Sequence, residues 1–286
     1  MLGHRSLVRV VGSELVPEEP TRGIDISTPN AARMYNYFLG GKDNFAADRA
    51  AAERVLAVAP QTLQLARQNR AFLRRAVRHL ITEVGITQFI DIGAGLPTEG
   101  NVHEVARALN PDARVAYVDN DPVVLTHARA LLTRTPGTIA VRGDLRRPYE
   151  LLNDPDLRAL IDFDRPVAVL TVAVLHFLAA DDKPARRVAE IRDALAPGSH
   201  LVLSHVTGDD KTEAARQGAA IYKHASATIT LRSREEILGL FDGFRLVPPG
   251  LVSLPAWRPD EEDSYEHFVS RRLPTWFWCG VGALDG

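Results

Sequence analysis

The feature that most constrains how this chain folds is an apolar run that carries an acid and breaks into glycine: Phe89-Ile90-Asp91-Ile92-Gly93-Ala94-Gly95-Leu96-Pro97. After one helix's length comes a second run, Val115-Ala116-Tyr117-Val118-Asp119, closed by another acid. A strand that turns through glycine into a helix, followed by a strand tipped with a carboxylate, is how an open α/β sheet presents a ligand site at its strand ends. The chain can reverse beneath a ligand only with positive φ and no Cβ, and Gly93 and Gly95 sit where that is needed.

Two details separate the motif from the dinucleotide fingerprint. Asp91 lies two residues before the first glycine, and Pro97-Thr98 stands where a third, helix-packing glycine would fall. A pyrophosphate is held by bare amides at a helix N-terminus, whereas a carboxylate at a strand tip suits a cation. S-adenosylmethionine, with its amino group and sulfonium, fits that description. Asp119 is then placed to accept both ribose hydroxyls. The competing reading of the two acids is a tight turn with surface carboxylates.

Composition sets the frame for that site. The 286 residues are 45% hydrophobic and 24% charged, with a formal net charge of −2, as in ordinary globular proteins. No basic excess suggests nucleic acid, and no apolar run approaches the roughly 18 residues of a membrane span. The lone Cys279 leaves no disulfide framework within the chain. The nine histidines show no tight ligand spacing, so no metal is expected. A cytoplasmic protein is expected, monomer or homodimer.

Three regions are predicted: a loose tail over residues 1–22, a helical cap over 23–84, and a Rossmann-like domain over 85–286. In the cap, the pattern gives helices over 28–39, with Thr28 as cap, over 46–58 and over 62–84. Arg67, Arg70, Arg74 and Arg78 form one stripe on the third helix, either a solvated face or an acidic-ligand site. Asn69 falls on the opposite, apolar side and needs a partner there, the cofactor or the glycine turn. Further strands are expected at 138–141, 167–174 and 200–206, and a closing antiparallel pair at 244–252 and 275–284, seven strands in all. The continuous apolar run at 167–174 reads as a strand buried on both faces of a parallel sheet. Helices alternate with the strands at 102–109, 122–132, 182–195, 216–224 and 233–240, covering both faces.

The chain resembles the class I S-adenosylmethionine-dependent methyltransferases, and in particular an actinobacterial family called S-adenosyl methyltransferase, domain of unknown function 574. The likeness is carried by Ala32-Arg33-Met34-Tyr35-Asn36-Tyr37-Phe38-Leu39-Gly40-Gly41-Lys42-Asp43-Asn44-Phe45, by Asn69-Arg70-Ala71-Phe72, by Asp91 to Thr98 with Asn101-Val102-His103-Glu104, and by Tyr117 to Pro122. It implies a seven-stranded, mostly parallel sheet with an antiparallel last strand, and S-adenosylmethionine as cofactor. Gly93, Ala94, Gly95 and Pro97 would then pass under the methionine part, and Asp91 would reach its amino group. Asp119 would hold the ribose, with Asn120 and Asp121 at the adenine edge. Asp144 and Leu145 match the position that takes the adenine ring, although Asp144 also reads as a plain turn acid. Thr171 and Ala173 end the fourth strand beside the methyl donor. Asn69, Arg70, Arg33 and Tyr37 would reach the cofactor from the cap.

Methyl transfer from a sulfonium is an in-line displacement, so a base matters only when the acceptor arrives protonated. His176, just beyond the fourth strand, is the catalytic candidate because imidazole titrates near neutral pH. Its bland reading is a packing histidine, as it is for His205 and His103. The residues around Gly40-Gly41 suit a hinged lid, or equally an amphipathic helix packed on the sheet. Trp257, Trp276, Phe277 and Trp278 read as packing, with an aromatic wall for a flat substrate as the second option. The fourth strand ends Val174-Leu175-His176-Phe177 without the Asn/Asp-Pro-Pro-aromatic tetrad of nucleobase and glutamine methyltransferases, which disfavours planar-amide and exocyclic-amine chemistry; the neutral charge and the cap make a small-molecule acceptor the expectation, with a protein acceptor as the alternative. Two other functions compete: an S-adenosylmethionine-binding protein without catalysis, and a nicotinamide oxidoreductase.

Overall fold

Five apolar runs become parallel strands in the computed structural model, which describes residues 25–98, 100–132, 135–209, 213–260 and 276–286. They are β1 (Gln88–Ile92), β2 (Arg114–Asp119), β3 (Thr138–Arg142), β4 (Ala168–Val172) and β5 (His200–Val206). Three later segments, β6 (Arg245–Leu246), β7 (Val252–Ser253) and β8 (Phe277–Ala283), complete an eight-stranded sheet of order β3-β2-β1-β4-β5-β8-β6, with β7 also on β8. The expected strand at 244–252 is therefore two short strands, interrupted at Pro248-Pro249-Gly250, where the prolines have no N–H to give the ladder. Both pair antiparallel with β8, so the sheet has seven positions, and β8 runs antiparallel between β5 and β6. β4 stops at Val172, two residues short of its apolar run.

The strand period of two sorts the core. Ile90, Ile92, Val118, Val169 and Leu201 face α6 (Pro148–Leu152), α7 (Pro155–Leu160), α8 (Pro184–Arg192) and α10 (Arg234–Gly239). Phe89, Val115, Tyr117, Leu170 and Val202 face α3 (Thr62–His79), α4 (Val102–Leu109) and α5 (Pro122–Leu132), with the fully buried Trp257 packed edge-on against Phe72. Trp257 is thus a core residue. The five- and six-residue α6 and α7 were not anticipated. Capping boxes start α4 and α10: the Asn101 amide donates to Glu104 (2.9 Å) and the Ser233 amide to Glu236 (2.7 Å).

The N-terminal helices α1 (Ala31–Phe38) and α2 (Ala46–Val58) build a separate apolar cluster with Ala66 of α3 and Tyr222, which follows α9 (Glu213–Ile221). Asn30, rather than Thr28, caps α1, accepting from the Ala32 and Arg33 amides. The α3 helix closes in a π-helical turn over Leu80–Val84, and its apolar face packs on the sheet. Arg67, Arg74 and Arg78 of its stripe are exposed, while Arg70 is half-buried at the site. The tail expected over residues 1–22 lies outside the described residues.

Candidate active site

The turn after β1 is held by β2. The Gly93 and Ala94 amides donate to Val118 O at 2.8 and 3.2 Å, and the Gly95 amide donates to the Asp119 carboxylate at 3.0 Å. Gly93 has φ +71°, and a Cβ there would stand 2.3 Å from Val174 Cγ2. A glycine is thus required at this point by the approach of β4's continuation as well as by its own backbone. Ala173 adopts φ +56° and donates its amide to Ser204, to O at 3.1 Å and to Oγ at 2.9 Å. A non-glycine residue in the left-handed region costs about 1–3 kcal/mol and tends to mark functional turns.

Asp91 shares Phe89's face of β1, opposite Tyr117 and toward Arg70. It is buried, and no described residue donates a hydrogen bond to its carboxylate. Burial pushes this carboxyl up to about 7, against the pull of Arg70 and with repulsion from Asp119. Asp119 is raised as well, chiefly by burial, although it accepts from the Gly95 and Asp121 amides. A pair of desolvated acids lacking full compensation is a site built for a cation and for hydrogen-bond donors.

These groups line one cavity of about 1010 Å³, with a smaller one of about 130 Å³ behind the glycine turn. The large cavity stands at the upper end of usual ligand pockets, roughly 300–1,000 Å³, and has space for two small molecules. Asp91, Gly93, Ala94, Gly95, Asp119 and Asn120 form its floor on the strand tips. Pro97 reaches only the smaller cavity.

Several expected contacts are placed differently. Thr171 is fully buried inside the sheet, donating to Val202 O at 3.3 Å, and does not reach the cavity, where Val172, Ala173 and Val174 stand instead. Tyr37 turns away to Glu53 (3.3 Å), and Tyr35, about half a helical turn removed, lines the cavity. Arg33 is spent on structure: Nε pairs with buried Asp48 at 2.7 Å and Nη2 donates to the Asp25 and Thr28 carbonyls. Asp121 caps α5 through the Val123 amide (2.7 Å) and also accepts from Asn30 Nδ2, so it tethers α1 to the sheet. Asp144 borders the cavity but is held by Arg146 at 2.7 Å, and Leu145 is buried in the core beside it.

Asn69 is buried as expected, but its partners are protein groups. Ser204 Oγ donates to its Oδ1 at 2.6 Å, and its Nδ2 donates to the Tyr35 hydroxyl at 3.1 Å, which in turn donates to Ala66 O. This chain of bonds ties β5, α3 and α1 across the cavity wall. Only the spacing of Asn69 gave a sign of it.

His176 sits at the far end, in the turn Leu175–Phe177, buried, with Nδ1 unpaired. Burial first, then His205 and Arg232, hold it well below the ordinary imidazole range, so it is neutral at pH 7. His205 is fully buried and closed to substrate: Nδ1 meets Val206 O at 2.6 Å and Nε2 meets the Arg232 guanidinium at 2.8 Å, with burial the main cause of its fall to about 3. The Arg232 guanidinium also donates to the Leu175 and Leu178 carbonyls, bracketing the His176 turn. Sequence reasoning missed Arg232, which no local motif marks. His103 binds the Tyr117 hydroxyl through Nδ1 (2.8 Å) and its amide, a packing role. Trp276 and Phe277 line the cavity, while Trp278 donates to Asp209.

The residues fit an adenosyl sulfonium ligand on the structure's own terms: a turn that a Cβ would fill, a buried carboxylate without a donor, and a second carboxylate at the next strand tip. The comparisons agree. The sequence profile of the family described as S-adenosyl methyltransferase matches residues 17–285. A crystal structure of a methyltransferase candidate from Thermobifida fusca is 44% identical, with TM-score 0.85 over 93% of this chain and 99% of that one. A DUF574 family protein from Streptomyces avermitilis is 35% identical, with TM-score 0.85 over 91% and 98%. An O-methyltransferase family protein from Burkholderia thailandensis shares the fold at 14% identity and TM-score 0.51, over 91% of this chain and 65% of that one. Among curated proteins none matches the sequence. With a profile match along nearly the whole chain, laid over a glycine turn and acids already placed for the ligand, this protein belongs to the S-adenosyl methyltransferase family and is an S-adenosylmethionine-dependent methyltransferase.

Proposed function

We propose that the protein methylates a small molecule held in the inner half of the large cavity, between His176 and the cap. When bound, S-adenosylmethionine supplies a methyl group on a positively charged sulfur, which leaves as a neutral thioether as the carbon bonds to the acceptor. The acceptor's proton is then the only other charge to be moved. Asp91 answers the ligand's ammonium, Asp119 its ribose hydroxyls, and Asn120, Asp144 and Leu145 border the adenine end. Asn69, Arg70 and Arg33 act from the cap side, Asn69 and Arg33 through the bonds that hold α1 and α3 in place. His176, neutral and with a free ring nitrogen, takes the proton as general base.

The observation that carries this reading is the roof over the cavity. The cavity runs from the strand tips to His176 under a roof made by α1, α9 and residues 225–231, which is tied down by Ser226: its amide donates to Pro29 O at 2.8 Å and its hydroxyl accepts from the Ala31 amide at 3.3 Å. A cavity roofed in this way can hold donor and acceptor together, where most of the rate of a displacement can be gained. The test incubates the protein with methyl-labelled S-adenosylmethionine and size-fractionated extract. Label in the low-molecular-weight fraction supports the reading, and label confined to protein or nucleic acid overturns it.

A further inference from the structure

The large cavity is divided by charge. All its aspartates and arginines come from the strand tips of β1 to β3 with the turn after them, from Arg70, or from residues 25–33 at the start of the cap. The other half is made by α2, α9, residues 222–231, the turn around His176, and Trp276 with Phe277. Among the described residues lining it there is no Asp, Glu, Lys or Arg; the nearest charge, the Arg232 guanidinium, lies behind the His176 turn and is engaged by the Leu175 and Leu178 carbonyls and by His205. Phe177, Tyr222 and Ile229 here belong to the same packed apolar cluster as α1 and α2. Phe177 lies 6.1 Å from the Tyr222 ring, and His176 lies 4.4 and 6.0 Å from Phe177 and Phe277.

Two polar groups in this half are left unpaired. His176 Nδ1 is buried without a partner, and the Tyr222 side chain lines the cavity with no hydrogen bond from its hydroxyl among the described residues. An unpaired buried polar atom costs free energy until something meets it, and an ionised ligand placed among these rings would lose its hydration with no countercharge to replace it. Aromatic walls favour a ring that stacks or meets them edge-on.

We infer that the acceptor is an uncharged, ring-bearing apolar molecule that presents one hydroxyl to His176 and Tyr222. This rests on the methyltransferase reading, with the inner half as the acceptor's place. Carboxylated, phosphorylated and ammonium-bearing molecules are rejected by the missing countercharge rather than by size. Acceptors of this class are sorted by their polar handle, and the apolar body is accepted with tolerance, as hydrophobic pockets discriminate weakly among apolar shapes.

The test is a matched series of probes, 2-naphthol, 2-naphthoate and 2-naphthylmethylammonium, titrated calorimetrically into the full chain saturated with S-adenosylhomocysteine. The neutral naphthol is expected to bind more tightly than either ion, by about tenfold or more, since an ion here gives up its hydration without a partner. Ala219→Glu, on the cavity-lining face of α9, is expected to weaken naphthol and strengthen the ammonium probe. Its unchanged binding of S-adenosylhomocysteine reports that it is folded. Equal or tighter binding of an ionised probe overturns the inference, as does the absence of any naphthalene binding, or a probe selectivity that Ala219→Glu leaves unchanged. Failure of S-adenosylhomocysteine itself to bind would be the failure of the methyltransferase reading, and the inference would fall with it.

Discussion

Asp91→Asn isolates the cost of keeping a carboxylate ready for a cation. Asp91 titrates at about 7 in the folded protein against an ordinary value of 3.8, with burial as the main cause. Below about pH 4 the carboxyl is protonated in folded and unfolded chains alike and costs nothing. Between about pH 4 and 7 the unfolded chain gives up the proton while the folded one keeps it, so stability falls as pH rises. Above about 7 the loss is complete, about 4 kcal/mol at most at 1.36 kcal/mol for each factor of ten. Asparagine has the same shape and no charge, so the variant escapes this loss. In urea unfolding, the variant's advantage over the parent is expected to grow by about 1–3 kcal/mol between pH 5 and pH 8. The same linkage predicts that S-adenosylhomocysteine binding releases a proton near pH 6, because the ligand's ammonium draws the carboxyl back to its ionised form. In calorimetry the binding enthalpy would vary with buffer ionisation heat for the parent and not for Asp91→Asn. An advantage that is the same at both pH values, with no proton released, would refute the assignment of Asp91 as a strained, cation-seeking carboxylate.

Three further outcomes are expected. Gly93→Ala places a methyl group against Val174 and a non-glycine residue at φ +71°, so a stability loss of about 1–3 kcal/mol should come with at least tenfold weaker S-adenosylmethionine binding, and an unaltered affinity would show that the turn is no cradle. Asp48→Ala leaves the buried Arg33 guanidinium without its carboxylate, and also removes the acceptor of the Asn30 and Phe45 amides; denaturation should show a loss of about 3–5 kcal/mol, and a loss below about 1 kcal/mol would contradict the structural role of the Arg33–Asp48 pair. His176→Ala should bind S-adenosylmethionine with near-parental affinity and turn over the extract-derived acceptor at least a hundredfold more slowly; equal rates would leave His176 with packing alone.

The parts of the site carried by local chemistry were legible in the chain. Gly93, Gly95, Asp91 and Asp119 lie within a few residues of one another along two strands, and strand, turn and acid can be read together. What depends on direction was less so. A strand apolar on both faces gives no parity, and Thr171 was assigned to the ligand although it points into the sheet and the strand ends a residue later. Tyr37 and Tyr35 are two apart on a helix, and so on different sides of it; the polar environment of Glu53 took the first and the cavity the second. Asp144 was read without its neighbour Arg146, which occupies its carboxylate. The partners in contacts between distant segments had no sequence sign: Arg232 with His205, and Ser204 with Asn69 across 135 positions, where the helical spacing showed only that Asn69 needed one. The helices α6 and α7 were too short for a hydrophobic period to be visible.

The account stands on one ligand at the strand tips, and parallel calorimetric titrations of the protein with S-adenosylmethionine, S-adenosylhomocysteine and NAD, repeated with Asp119→Ala, test it most directly. The expected result is binding of the two adenosyl ligands and not of NAD, with both weakened at least tenfold in the variant. Binding of NAD in their place, or affinities that Asp119→Ala leaves unchanged, would contradict the assignment of the glycine turn and its two acids.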